Sequence, residues 1–233
     1  MSLEFILAQY SINFFNFLER STLFNYIDCI GLSFPLLTFL FLGKRVAFLK
    51  KSMVLLFYFI FFVLSIMATF SRKFGFSNLV VYNIIPFLLI IPLHFFFRSH
   101  LFSVLSQRLL LTVSLLLFIF YLITLAEISS SLNLFYYLFF AFYIMLGSFA
   151  YLIEEVNFIR IRSSKLRVEF WFIVCLFFYA SMCLLVWSLY DWVFIRLNDT
   201  RYVSFVWSTL HNGTLFIHCF IFSIALIWTR HRI

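Results

Sequence analysis

The sequence predicts an all-α polytopic membrane protein, a bundle of seven transmembrane helices preceded by an N-terminal interfacial amphipathic helix. Three observations carry this. The 233-residue chain is 65% hydrophobic and 11% charged, whereas soluble domains are nearer half apolar and a quarter charged. Apolar runs of roughly 20 residues, the length that crosses a bilayer, recur along nearly the whole chain and are broken by short charged segments. Lys and Arg are shared unequally between alternate loops, the pattern that membrane insertion imposes. No stretch remains to fold as a separate aqueous domain. The net charge of +8 therefore belongs to membrane topology. It forms no basic stripe with interleaved aromatics, and no nucleic-acid partner is expected. The expected partners are the lipid bilayer and a membrane or cytoplasmic protein.

The first unit is residues 1–22. Ser2, Gln9, Asn13, Asn16 and Arg20 recur at helical spacing, with Leu3, Ile6, Leu7, Phe14, Phe17 and Leu18 on the remaining surface. That pattern suits a helix lying in the membrane interface, and a short extra span is the competing reading. The start lacks the basic residues of a signal peptide.

Seven spans make up residues 23–233. They are expected from Phe24 to Leu42, Ser52 to Phe70, Leu79 to Phe97, Leu109 to Ile128, Leu132 to Ile153, Phe170 to Phe194 and Tyr202 to Ile233. Pro86 and Pro92 each remove a helix donor from the third span, and the freed carbonyls need partners from neighbouring helices. With 5 Gly against 38 Phe, aromatic and Leu side chains rather than small-residue stripes are expected to fill the interhelical space. Cys29, Cys175, Cys183 and Cys219 sit singly in apolar runs, where cysteine behaves as a small hydrophobe.

Loops set the orientation. The segments after spans one, three, five and seven hold Lys44, Arg45, Lys50, Lys51, Arg98, Arg108, Arg160, Arg162, Lys165, Arg167, Arg230 and Arg232, twelve of the 17 basic residues. Cytoplasmic loops are the basic ones. The expected location is the inner (cytoplasmic) membrane, with the N-terminus outside and the C-terminus in the cytoplasm. The pair Glu154-Glu155 beside Arg160 to Arg167 reads as part of a solvated cytoplasmic loop, or as a docking surface for a partner.

Polar residues inside hydrocarbon are costly and face protein or trapped water. In this threading Asp28, Asn83, Glu127, Asp191, His211 and Asn212 all fall in the outer third of the bundle. They are the candidate ligand-binding residues, as a polar pocket open to the outside. The alternative places the three carboxylates in the headgroup layer and leaves His211-Asn212 as hydrogen-bonded glue between helices. His94 and His218 lie deeper, and as a pair they could ligate a haem iron. No carboxylate or thiolate has the spacing of a metal set, so no cofactor is the leading expectation. Motifs for serine hydrolysis, zinc proteolysis, phosphate cradling or haem attachment do not occur.

From span six onward the chain resembles a family of small seven-helix membrane proteins of Bacteroidota. The resembling residues are Phe170-Trp171, Phe177 to Tyr179, Trp207, His211-Asn212, Ala225 and Trp228, with a fainter match at Asn78 and Tyr82-Asn83. Members are often encoded beside sensor histidine kinases, which implies a sensory or partner-regulating role. The carboxylate common in that family near the end of span two has no counterpart between Ser65 and Ser71. The leading expectation is thus a membrane subunit of sensory or partner-regulating type. A structural subunit of a larger membrane complex is the second reading, and a small-molecule transporter or intramembrane enzyme the third.

Overall fold

The computed structural model describes residues 26–42, 48–74, 78–124, 134–158, 168–197 and 210–230. The expected interfacial helix over residues 1–22 lies outside them. The described residues form seven helices: α1 (Ile27–Leu42), α2 (Phe48–Lys73), α3 (Leu79–His100), α4 (Val104–Thr124), α5 (Leu134–Phe158), α6 (Val168–Leu197) and α7 (Asn212–Arg230). Each falls on one expected span. From α2 to α6 each helix is long and apolar enough to cross a membrane, and α1 and α7 are shorter apolar helices. The protein is an all-α, multi-pass membrane bundle.

Helix neighbours define a ring. Helix α1 packs on α2, α2 on α3, α3 on α5, α5 on α6, α6 on α7, and α7 closes back on α1. Helix α4 stands outside, against α3 and α5. Only 17% of its apolar stretch is buried, against 50% in α5 and α6, so most of α4 faces away from the ring. Phe87 of α3 stacks on its Tyr121 at 4.2 Å, and Tyr136 of α5 meets Phe120 and Tyr121.

Aromatic rings fill the ring's interior. Phe172 of α6 is fully buried and meets Phe57 and Tyr58 of α2, Phe96 of α3 and Phe222 of α7 edge-on. Water is not being expelled from between helices in a bilayer, so this geometry, not apolar burial, supplies the attraction. Edge-to-face pairs contribute about 0.5–1.5 kcal/mol each.

Two glycines matter despite their rarity. A Cβ on Gly31 of α1 would lie 2.9 Å from the Cα of Phe216 on α7. A Cβ on Gly147 of α5 would lie 2.6 Å from the Phe97 ring of α3. At these two places small residues do set the helix approach, in addition to aromatic filling.

The acidic pair Glu154-Glu155 corrects an expectation. Helix α5 continues beyond Ile153 to Phe158, and both carboxylates are buried rather than solvated. The reason lies in the short turn between α3 and α4. Phe102 N–H donates to Glu154 Oε2 at 2.6 Å and Ser103 N–H to Oε1 at 3.2 Å. These amides, at the start of α4, have no acceptor inside that helix, and an anion there complements the helix dipole. Gln107 completes the turn by donating to the Leu101 carbonyl at 2.7 Å.

Candidate functional site

Helices α1, α3, α5 and α7 begin at one end of the bundle, the end that carries Asp28. A small cavity of about 30 Å³ lies inside this end. Along α3 it reaches from Tyr82 to Leu89, a depth of about 10 Å. Its polar lining is Asp28 from α1, Ser65 from α2, Tyr179 from α6, and His211 and Asn212 at the head of α7. Tyr82 and Tyr137 add two phenols, and Trp187 and Cys183 close the α6 side.

Local structure explains how each group gets there. Pro86 cannot donate to the carbonyl four residues back, that of Tyr82. The Tyr137 hydroxyl donates to that carbonyl at 2.6 Å, which meets the need of the broken ladder and fixes α5 beside the cavity. Leu210 and His211 adopt a π-helical turn just before α7, a widened turn common where helices carry function. The His211 ring then points inward between α6 and α7. Its Nδ1 is 3.2 Å from Asn212 Oδ1 and its Nε2 3.2 Å from the Tyr179 hydroxyl. The amide oxygen can only accept, so Nδ1 carries the proton, and in the neutral ring Nε2 accepts from Tyr179. Trp187 packs edge-on to the same ring at 5.6 Å.

Seven residues along α7, and so on the same face about 10 Å deeper, His218 repeats the arrangement. Its Nε2 is 2.8 Å from the Tyr58 hydroxyl, and Tyr179 lies between the two histidines, 5.4 Å from the His218 ring. Asp28, His211, Tyr179, His218 and Tyr58 thus descend as a polar column. It ends where Tyr58 stacks on Phe222 and meets Phe172.

Two atoms of this column are buried without a hydrogen-bond partner, Asp28 Oδ1 at its head and His218 Nδ1 deeper down. Asp28 is 7% exposed. Among the described residues no Lys or Arg lines the cavity.

Of the six residues expected at the site, Asp28, His211 and Asn212 come together around one cavity. Asn83 is buried at 3% exposure but is not part of the lining; its neighbour Tyr82 is. Glu127 lies outside the described residues, as does the side chain of Asp191. From sequence Tyr82 and Tyr179 stand out only as residues of the resemblance, with no site role, and Tyr137, Ser65 and Trp187 do not stand out as site residues. The Pro86 break was the available signal for Tyr82.

The pairing of His94 with His218 for haem is corrected. His94 Nδ1 is 3.2 Å from Ser114 of α4, and its ring lines a separate groove of about 230 Å³ between α3 and α4. His218 is turned into the core. The two rings face different neighbours across α3, so they do not form one axial pair. Among the described residues no three His, Cys, Asp or Glu side chains cluster as metal ligands. The four cysteines are free, three buried and Cys29 half-buried. Compared with known families, curated proteins and solved structures, the chain matches no family model, no curated protein and no solved structure.

Proposed function

We propose that this protein is an integral subunit of the inner membrane that senses a condition on the outer side and regulates a membrane or cytoplasmic partner. The N-terminus lies outside and the C-terminus in the cytoplasm. One observation carries the reading: the cavity at the Asp28 end is polar at its head and closed beneath by packed aromatics. Asp28 and His211-Asn212 face it from α1 and α7, helices in close contact at Gly31 and Phe216. Below them Tyr58, Phe172 and Phe222 meet ring to ring. A site with polar groups at its head and packed aromatics beneath suits the reading of an occupant more than its passage. A change in occupancy would act on α1 and α7 directly and shift them against α6. The basic loops support the orientation, and the resemblance to proteins encoded beside sensor kinases supports the sensory role.

The test is substitution at the head of α7. His211→Ala and Asn212→Ala abolish the partner's response while protein abundance stays normal; normal responses in both variants reject the reading. Crosslinking and mass spectrometry from native membranes identify the partner. A structural subunit is the second reading, favoured by the outward apolar face of α4, where Leu105, Leu116 and Ile123 are exposed. That reading requires fixed partners in constant ratio after solubilisation.

A further inference from the structure

The cavity is too small for the organic ligands that pockets usually take. Such ligands occupy about 300–1,000 Å³, and this space is about 30 Å³. A water needs about 10–15 Å³ on this kind of measure, so the cavity holds a couple of waters or one small ion.

Charge narrows the choice further. Among the described residues Asp28 is the one carboxylate in the lining, and its buried Oδ1 has no hydrogen-bond partner. A carboxylate out of water is paired or takes up a proton, because an isolated buried charge is far too costly. The described residues around Asp28 supply no fixed cation. From α7 the same cavity is lined by His211, whose two nitrogens are already engaged by Asn212 and Tyr179. From α3, α5 and α6 the titratable groups facing the cavity are the phenols of Tyr82, Tyr137 and Tyr179 and the thiol of Cys183, all neutral or anionic. From α2 it is lined by Ser65, which does not titrate. On the helix of Asp28 itself the nearest titratable group is the Cys29 thiol, 3.9 Å from Thr69. The head of α1 contributes the partial positive charge of a helix N-terminus and hydrogen bonds from the Asp28 and Cys29 amides and the Cys29 thiol, none of which is a cation.

We infer that the Asp28 cavity is a binding site for one monovalent cation, either a proton held on the carboxylate or an alkali ion coordinated by it. The available oxygens suit both sources. Hard alkali ions take oxygen ligands, and the carboxylate, the Ser65 hydroxyl and the Asn212 amide oxygen line the same space. A proton adds to Asp28 Oδ1, which turns the unpartnered acceptor into a hydroxyl donor. The inference rests on this cavity being the ligand site proposed above, and it gives the sensed condition a chemistry: outer pH or alkali-ion concentration.

The experiment uses the full chain in lipid nanodiscs and reads the Asp28 carboxyl by infrared difference between native protein and Asp28→Asn. Sodium, potassium or lithium chloride is titrated against choline chloride at constant ionic strength, and pH is varied in choline alone. An alkali site gives an ionised Asp28 band that shifts saturably, one ion per chain, with a matching rise in the thermal midpoint. A proton site gives a protonated carboxyl band at neutral pH that disappears as pH is raised, with no alkali dependence. Either dependence is lost in Asp28→Asn. An ionised Asp28 that responds to no alkali ion overturns the inference. If Asp28→Asn does not fold, Asp28→Glu takes its place: a carboxyl band or alkali dependence that moves with the substitution supports the site, and one unchanged by it rejects it. A bound cation with an unaltered partner response in His211→Ala would reject the sensory reading alone. A lost response without cation binding would reject this inference alone.

Discussion

The Tyr137 hydroxyl of α5 donates, at 2.6 Å, to the carbonyl of Tyr82 on α3, the acceptor that Pro86 leaves without its intrahelical donor. A proline in a membrane helix creates a need that only a neighbour can meet in lipid. Here the neighbour that meets it also lines the candidate site. Tyr137→Phe removes the donor and leaves the carbonyl buried, at a cost of about 1 kcal/mol. Pro86→Ala restores an intrahelical N–H for that carbonyl. The cost of Tyr137→Phe is therefore smaller in the Pro86→Ala background, a coupling that a double-mutant cycle in thermal or denaturant unfolding measures.

The turn between α3 and α4 depends on Glu154. Its two oxygens accept from Phe102 and Ser103, and it is 8% exposed. Glu154→Ala leaves both amides without an acceptor and costs about 2–3 kcal/mol, the range for bonds to a charged group. Glu154→Gln keeps one acceptor oxygen and costs less. The order native, Gln, Ala in unfolding midpoint checks this; equal midpoints for Gln and Ala would count against the two-amide arrangement.

The two tight glycines differ in what obstructs them. Gly147→Ala drives a methyl into the Phe97 ring, and Gly31→Ala drives one into the Phe216 backbone. Both cost about 1–3 kcal/mol by overpacking. Phe97→Leu recovers part of the loss in Gly147→Ala because a side chain is the obstacle. Phe216→Ala recovers little in Gly31→Ala because Cα remains. Paired unfolding measurements on single and double variants separate the two cases.

His218 and Tyr58 are each other's partners in the core, 2.8 Å apart. Tyr58→Phe leaves Nε2 buried without a hydroxyl and costs about 1–3 kcal/mol. His218→Gln keeps a hydrogen-bonding group within reach of the Tyr58 hydroxyl and is milder than His218→Leu. Thermal midpoints of the three variants test the ranking.

The fold was legible because each span is an uninterrupted apolar run with charged ends. The site was legible only in part. Asp28 and His211-Asn212 could be placed together because spans entering from the same side put them at the same depth. Lateral facing could not be read: helices that are apolar all round give no stripe to mark the inner face. Asn83 and Tyr82 are neighbours in sequence, and only packing decides which of them lines the cavity. Tyr137 and Tyr179 looked like filling aromatics until their hydroxyls were placed against Tyr82 and His211. Glu154 looked like a loop residue because the Arg-rich segment follows it, and its role depends on amides 51 and 52 residues earlier. His94 and His218 seemed matched in depth, yet they face α4 and the core respectively.

The central claim is that the cavity end of a membrane-threaded bundle lies on the outer side. It is tested most directly by single cysteines at Phe74 and Phe102, both exposed at opposite ends of the bundle, in a chain whose 4 native cysteines are replaced. With a membrane-impermeant maleimide on intact spheroplasts, the account predicts labelling at position 74 at once and at position 102 only after permeabilisation. Labelling at 102 from outside, with 74 protected, would contradict it.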